Sequence, residues 1–187
     1  MGNDERDPPF FFAKHADMLE KDGASIPYPS LTKDLHHEVE LIVAMKSGGL
    51  NIAPDKALDH VYGYAVGIDL TRRDLQLAAR KKERPWEIGK SFDHSAPCSA
   101  LQPAAKIGHP AKGKIWLSVN GTERQKGDLS ELIWSVPEII AELSTFFELQ
   151  PGDLIYTGTP AGVGALKQGD RIEGGIDGLD ELSTTIE

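Results

Sequence analysis

The alternation of apolar and polar residues predicts a chain built mainly of short strands. Residues 35–45 alternate with a period of two, which is typical of a β-strand. One face of this strand would carry His37 with three apolar residues, and the other face would carry Glu38 and Glu40. Residues 62–70 are almost wholly apolar, as in a strand that is covered on both sides, and Asp69 near its end is the exception.

A hairpin and two helices are predicted by their local signals. The Asn120-Gly121 pair has the residues that a type I′ turn requires, and it separates alternating residues at 115–119 from a return strand. Ser135 and Glu138 have the spacing of a capping box before an amphipathic helix. Thr71 and Asp74 resemble a second capping box, which would begin a helix running to about residue 82. Further short elements are expected as strands at 10–14, 154–157, 170–174 and 182–186 and as a helix at 54–61.

Length and composition narrow the class of protein. With 187 residues, 40% of them hydrophobic and 26% charged, the chain fits one globular domain over 1–187. No apolar run approaches the ~20 residues that span a bilayer, so we expect no membrane insertion. A net charge of −9 argues against a nucleic-acid partner. Cys98 is the single cysteine, which excludes an intrachain disulfide and suits a reducing, cytoplasmic location.

The acidic pair in the first strand is the strongest sign of chemistry. Glu38 and Glu40 would lie about 7 Å apart along a strand, inside an otherwise apolar run where unpaired like charges are disfavoured. A hard divalent cation would neutralise them, and Mg²⁺ or Mn²⁺ is favoured over Ca²⁺. The alternative is an edge strand with its acidic face in water beside Lys or Arg. Asp69 similarly requires either a backbone donor or a metal.

Three further residues could contact an anionic ligand. Arg73 and Gln76 share one face of the predicted helix and could reach a carboxylate held near Asp69, although a surface face is the alternative. The glycine loop at 158–164 lacks the sequence of a P-loop or of a dinucleotide fold. Its backbone N–H groups, together with Thr159, could hold a carboxylate, and the alternative is a plain turn.

Several of these segments, taken in order, resemble the fumarylacetoacetate hydrolase family. The similarity is greatest to the small, single-domain acylpyruvase branch and extends from about residue 10 to residue 187. The segments are Leu35-His-His-Glu-Val-Glu-Leu41, Gly67-Ile-Asp-Leu-Thr-Arg-Arg-Asp-Leu-Gln76, Trp86 with Lys90-Ser-Phe92, Val119-Asn-Gly121 and Gly152-Asp-Leu-Ile-Tyr-Thr-Gly-Thr-Pro-Ala-Gly-Val-Gly164.

The resemblance implies a fold and a set of site residues. The fold would be α+β and predominantly β, a mixed β roll with peripheral helices, usually assembled as a homodimer. The implied metal ligands are Glu38, Glu40 and Asp69, and the implied catalytic lysine is Lys90. The implied substrate-binding residues are Arg73, Gln76, Thr159 and Lys14.

The resemblance also implies a reaction. We expect hydrolysis of a C–C bond in an acylpyruvate with Mg²⁺ or Mn²⁺ as cofactor, with fumarylpyruvate giving fumarate and pyruvate in aromatic (gentisate) degradation as the best candidate. A Lewis-acid cation would stabilise the pyruvate enolate that this cleavage releases. The alternatives are decarboxylation of oxaloacetate, isomerisation of a 2-hydroxy-dienoate, and a non-catalytic domain that binds metal and carboxylate. The expected partner is a small keto-acid substrate.

The N-terminus departs from the family pattern. Family members begin earlier, with a strand and a segment whose His and Glu activate the attacking water. Met1-Gly-Asn-Asp-Glu5 resembles the continuation of that segment, so we expect an N-terminally truncated chain. Loss of a general base would lower the rate by roughly 10²–10⁴.

Overall fold

The computed structural model describes residues 6–187 as a predominantly β structure with short helices. Residues 1–5, where the continuation of the His- and Glu-bearing segment is expected, lie outside the described residues. The strands are β1 Leu19–Lys21, β2 Ser25–Ile26, β3 Leu35–His37, β4 Val39–Met45, β5 Val61–Ile68, β6 Thr71–Arg72, β7 Ala96–Cys98, β8 Gln102–Pro103, β9 Lys114–Val119, β10 Thr122–Asp128, β11 Leu154–Tyr156, β12 Gly164–Leu166, β13 Arg171–Ile176 and β14 Leu182–Ile186. The α-helices are α1 Arg73–Lys81, α2 Glu87–Lys90, α3 Ala104–Ile107 and α4 Val136–Phe146. Short 3₁₀ helices cover Ala16–Met18, Ala57–His60 and Leu129–Glu131.

Three sheets enclose the core. The largest has the order β1-β7-β5-β4-β11, with β8 also paired to β5. The second has the order β10-β9-β13-β14-β2, and the third has the order β12-β3-β6. Apolar side chains from the first two sheets form one buried cluster, for example Leu41 and Val66 with Leu117 and Ile172. The predicted α+β, predominantly β fold is therefore confirmed.

The strand predicted over residues 35–45 is divided in two at Glu38. β3 pairs with β6 and β12 in the small sheet, whereas β4 lies between β5 and β11 in the large sheet. The alternation of residue types continues through the break, which is why the sequence indicated one strand. The break places Glu38 where the two sheets meet.

The local signals had mixed outcomes. The hairpin is confirmed, because Asn120 and Gly121 have the positive φ values of a type I′ turn, 51° and 75°. The capping box of Ser135 and Glu138 is also confirmed at the start of α4. The capping box predicted at Thr71 and Asp74 is wrong, since Arg72 precedes α1 without a side-chain cap.

Two segments differ from their predicted secondary structure. Residues 10–14 do not form a strand, although they run close to the candidate site described below. The helix predicted over 54–61 is present only as the 3₁₀ helix Ala57–His60. No helix within residues 6–187 has the length and apolar character needed to cross a membrane.

Candidate active site

Three carboxylates from neighbouring strands converge at one place. β4 and β5 are antiparallel partners in which Val39 lies opposite Ile68, so Glu38 just before β4 meets Asp69 just after β5. The backbone N–H of Asp69 donates to the carbonyl of Glu38 at 2.8 Å, which fixes this junction. One carboxylate oxygen each from Glu38, Glu40 and Asp69 lies within 4.8 Å of the others.

The carboxylates are buried, with 7%, 4% and 1% of the surface of Glu38, Glu40 and Asp69 exposed. Two of them are paired with cations. Lys90 Nζ lies 2.7 Å from Glu38 Oε2 and also contacts Asp69 Oδ2. Arg73 pairs with the other oxygen of Glu38. These ion pairs offset the cost of burying the carboxylates of Glu38 and Asp69.

Glu40 is in a different environment. Its Oε2 accepts a hydrogen bond from Gly158 N at 2.8 Å, and no residue within 6–187 forms an ion pair with it. Burial, reinforced by the nearby charges of Asp69 and Glu38, raises the pKa of Glu40 to about 8. The site therefore holds one carboxylate whose negative charge the surrounding side chains do not fully compensate.

Lys90 is held at the centre of the site by the single turn of α2. Besides the two carboxylates, its Nζ donates to Thr71 Oγ1 at 2.7 Å and lies 5.0 Å from the centre of the Phe12 ring. Burial by itself would lower the pKa of Lys90, but Asp69 and Glu38 outweigh it and raise that pKa above its ordinary value. Lys90 is therefore a cation near neutral pH in the metal-free protein.

Lys14 enters the site from the extended segment before the first 3₁₀ helix. Its Nζ lies 2.9 Å from Asp69 Oδ1 and donates to Ser95 Oγ at 2.9 Å and to Ser95 O at 3.1 Å. It also contacts the carbonyl of Lys90. Burial lowers the pKa of Lys14, with Asp69 opposing the effect. These contacts are all with the protein, and the substrate contact expected for Lys14 stays a prediction.

Arg73 and Gln76 lie on one face of α1, as predicted. Arg73 Nη1 donates to Gln76 Oε1 at 2.5 Å, and the same guanidinium contacts Glu38. Thr159 follows Gly158 in the glycine loop, directly beyond the residue that donates to Glu40. Direct contacts with the carboxylates are thus made by Lys14, Lys90 and Arg73. Gln76 is linked to them through Arg73, and Thr159 through its neighbour Gly158. Their substrate-binding roles stay predictions.

The three carboxylates suit a hard divalent cation. Oxygen ligands of Mg²⁺ lie about 3.0 Å apart when adjacent and about 4.2 Å apart when opposite. The three carboxylate oxygens, which lie within 4.8 Å of one another, would therefore have to move closer together around the ion. Asp69 Oδ1 is buried and, although Lys14 Nζ is 2.9 Å away, it has no hydrogen bond of acceptable geometry from residues 6–187. A cation here would satisfy that oxygen and would compensate the charge of Glu40.

The sequence did not indicate several polar residues that organise the site. Thr71 accepts from Lys90 and donates to the carbonyl of Asp69, and Ser95 anchors Lys14. Gln125, from β10, donates to Thr159 Oγ1 at 2.8 Å. Nothing in the sequence assigns these residues to the site, because the lysine or loop that each contacts lies in a different segment of the chain.

Comparison with known proteins agrees with this geometry. The family model described as fumarylacetoacetate (FAA) hydrolase C-terminal matches residues 2–187. A fumarylpyruvate hydrolase of Ralstonia sp is 47% identical over 177 residues, covering 95% of this chain and 92% of the relative. The mitochondrial oxaloacetate tautomerase of Homo sapiens is 44% identical over 179 residues, covering 96% of this chain and 81% of the relative.

Solved structures show the same fold. A crystal structure of fumarylpyruvate hydrolase from Pseudomonas aeruginosa in complex with Mn²⁺ and pyruvate is 52% identical, with a TM-score of 0.95, covering 97% of this chain and 80% of that one. The 2-hydroxyhepta-2,4-diene-1,7-dioate isomerase from Mycobacterium marinum is 28% identical, with a TM-score of 0.89, covering 97% of this chain and 69% of that one. One architecture is thus shared by relatives whose names denote different reactions.

Proposed function

This chain belongs to the fumarylacetoacetate hydrolase family, and we propose that it is a divalent-metal-dependent hydrolase that cleaves a C–C bond of an acylpyruvate. The proposed substrate is fumarylpyruvate, which takes up one water and yields fumarate and pyruvate. The observation that carries the proposal is the buried group of Glu38, Glu40 and Asp69, in a chain 52% identical to a fumarylpyruvate hydrolase whose structure contains Mn²⁺ and pyruvate.

In this proposal the three carboxylates hold Mg²⁺ or Mn²⁺, with Ca²⁺ less favoured because the ligand group is small. The bound ion would supply Lewis acidity where negative charge develops on the keto oxygen during C–C cleavage.

The charges of the site support an anionic substrate. Lys14, Lys90 and Arg73 pair with Glu38 and Asp69, and an ionised Glu40 would bring the carboxylates to the same number of charges as these cations. A divalent ion bound to the three carboxylates would therefore add positive charge that suits the two carboxylates of fumarylpyruvate.

Lys90 is proposed as the catalytic residue of the chain itself. In the metal-free protein Asp69 and Glu38 raise the pKa of Lys90, so we assign it the role of a cation and not of the base that activates water. Its fixed charge instead stabilises the enolate as this forms, without rearrangement during the reaction. Thr71 and the two carboxylates keep the ammonium group in place for that role.

Arg73, Gln76 and Thr159 are proposed to bind the carboxylates of the substrate. A guanidinium can grip a carboxylate with two parallel hydrogen bonds, which fixes the orientation of the substrate as well as its position. The contact of Arg73 with Gln76 keeps both groups on the same side of α1. Lys14 would contribute by holding Asp69 and the segment that follows α2.

A second candidate reaction is tautomerisation or decarboxylation of oxaloacetate. It is favoured by the human relative, which is named an oxaloacetate tautomerase and is 44% identical. Isomerisation of a 2-hydroxy-dienoate is a further candidate, supported by the M. marinum isomerase. All of these substrates are keto acids or their enols, so the same site could bind each of them.

The test is a substrate panel on the full-length protein as it occurs in the cell, freed of metal and then supplied with Mg²⁺ or Mn²⁺. We expect the diketone absorbance of fumarylpyruvate to fall, with fumarate and pyruvate formed in equal amounts. Glu40→Gln should abolish this turnover, whereas the exposed Glu181→Gln should not. Faster turnover of oxaloacetate or a 2-hydroxy-dienoate would favour the second candidates, and metal and pyruvate binding without any turnover would favour a non-catalytic domain.

A further inference from the structure

Gln125 is a fully buried amide on β10 that lies between the metal-binding strands and the glycine loop. The pairing of β9 and β10 shifts register between Glu123 and Gln125, a β-bulge that alters the direction of the side chains that follow. The bulge turns Gln125 inward, towards residues that are 86 and 88 positions away in the sequence.

The carbonyl end of this amide contacts both neighbours of Glu38. Gln125 Oε1 accepts a hydrogen bond from Val39 N at 3.1 Å and lies 2.8 Å from His37 Nδ1. Val39 and His37 are the first residue of β4 and the last residue of β3. The amide therefore bridges the break in which Glu38 is placed.

The other end of the amide contacts the glycine loop. Gln125 Nε2 donates to Thr159 Oγ1 at 2.8 Å and to the carbonyl of Pro160 at 2.9 Å. The orientation of the amide is fixed by its partners, because Val39 N can only donate and Pro160 O can only accept. Both hydrogens and both lone pairs of the amide are thus used inside the protein.

This arrangement determines what the Thr159 hydroxyl can do. A hydroxyl has one hydrogen to donate and two lone pairs that accept. Since Gln125 supplies a hydrogen to Thr159 Oγ1, the hydroxyl accepts on that side and retains its own hydrogen for another acceptor. A substrate carboxylate is such an acceptor, and the loop is also fixed against the carboxylate site through Gly158 N and Glu40.

We infer that Gln125 is a positioning residue that orients the Thr159 hydroxyl as a donor to a substrate carboxylate while holding the segment that bears Glu38. This inference rests on the proposed function only in that Thr159 is taken to bind a carboxylate of the substrate. Gln125 acts through Thr159 and does not itself touch the substrate.

The test is a double-mutant cycle that uses pyruvate binding to the Mn²⁺-loaded full-length protein, measured by calorimetry. Gln125→Glu keeps the oxygens that face Val39 and His37 but removes the hydrogens given to Thr159. Thr159→Val removes the hydroxyl at nearly constant size. Each single change is expected to weaken pyruvate binding about tenfold, the effect of losing one hydrogen bond to a charged group.

Coupling between the two positions is the decisive result. In the Thr159→Val background, Gln125→Glu should weaken pyruvate binding by much less than in the unaltered protein, because only the added charge and the lost hydrogen bond to Pro160 remain. Losses that simply multiply would overturn the inference and assign Gln125 a general structural role. Unchanged pyruvate affinity in the Gln125 variants would also overturn it.

Matched controls exclude other causes. Thr145→Val and Gln168→Glu make the same chemical changes at exposed positions that each donate one hydrogen bond to a backbone carbonyl, and both should leave pyruvate affinity unchanged. If Gln125→Glu does not fold, Gln125→Met gives the same cycle without the added charge.

Pyruvate binding does not require turnover, so failure to hydrolyse fumarylpyruvate would contradict the proposed function alone. Absence of pyruvate binding by the unaltered, Mn²⁺-loaded protein would overturn this inference whatever the protein hydrolyses.

Discussion

Glu40 links the stability of the metal-free protein to pH. Its folded-state pKa of about 8 lies above its ordinary value of 4.5, so the folded protein holds a proton that the unfolded chain releases between these values. The resulting stabilisation is fully present below pH 4.5 and is lost as the pH rises towards about 8. A divalent ion that binds the ionised carboxylate would compensate this loss.

We therefore expect the free energy of unfolding of the metal-free protein to fall with pH over this interval, relative to Glu40→Gln. The difference should change by up to about 1.4 kcal/mol per pH unit. Denaturant titrations at several pH values measure it, with the exposed Glu181→Gln as control. Parallel curves for the unaltered protein and Glu40→Gln would show that Glu40 does not carry this proton.

Lys90→Met tests the cation that Glu38 and Asp69 share. Removing one partner leaves two buried carboxylates with less compensation, so the metal-free protein should lose about 3 kcal/mol of stability. The kcat for fumarylpyruvate should fall roughly 10²–10³-fold, as for loss of a preorganised group that stabilises developing charge. Lys114→Met, which removes a pair between exposed side chains, should change stability by less than about 1 kcal/mol. An unchanged kcat in folded Lys90→Met would contradict the proposed role.

The glycine loop depends on close backbone contact with β10. Gly162 has a φ of 100°, and a Cβ there would lie 2.2 Å from the carbonyl oxygen of Arg124, next to Gln125. Gly178 has a similar φ of 82° but has open space around it. The two glycines therefore separate the cost of a positive φ from the cost of displacing the loop.

We predict that Gly178→Ala costs about 1 kcal/mol of unfolding free energy, from backbone strain alone. Gly162→Ala should cost clearly more and should also weaken pyruvate binding, because the loop must move away from β10. Thermal unfolding and calorimetry of the two variants make the comparison. Equal losses of stability with unchanged pyruvate affinity would contradict the proposed position of the loop.

The elements also show which features a sequence can predict. The hairpin at Asn120 depends on two adjacent residues with positive φ, so its signal is local and predicts the turn correctly. The division between β3 and β4 depends on which sheet each half joins, and the residue pattern continues through Glu38 unchanged. Asp74 has the spacing of a capping box, but its carboxylate accepts instead from Thr32 and Lys33, in the loop before β3. Contacts made by distant segments decided both cases.

For the whole molecule, the grouping of Glu38, Glu40 and Asp69 was predictable because buried carboxylates are unusual and the family resemblance places all three together. The roles of Thr71, Ser95 and Gln125 in the site were not predictable. Each is an ordinary polar residue in the sequence, and its role comes from a lysine or loop that the fold brings near it. Carboxylates inside an apolar run stand out in the sequence. The hydrogen-bond partner of a single polar residue becomes known only from the structure.

The family resemblance also implies a homodimer, which we propose for this chain. Sedimentation equilibrium of the full-length protein should then give about twice the mass of one chain, which is 20.4 kDa for the 187 residues of this sequence. The mass should not depend on protein concentration over the micromolar range. A single-chain mass throughout that range would contradict the proposed assembly and would leave the metal site unaffected.

The proposed metal site can be measured by calorimetric titration of Mn²⁺ into the metal-free, full-length protein. We predict one ion bound per chain, with binding strongly weakened in Glu38→Gln, Glu40→Gln and Asp69→Asn and unchanged in Glu181→Gln. No binding, or binding that all three variants retain at full affinity, would show that these carboxylates do not hold a metal ion.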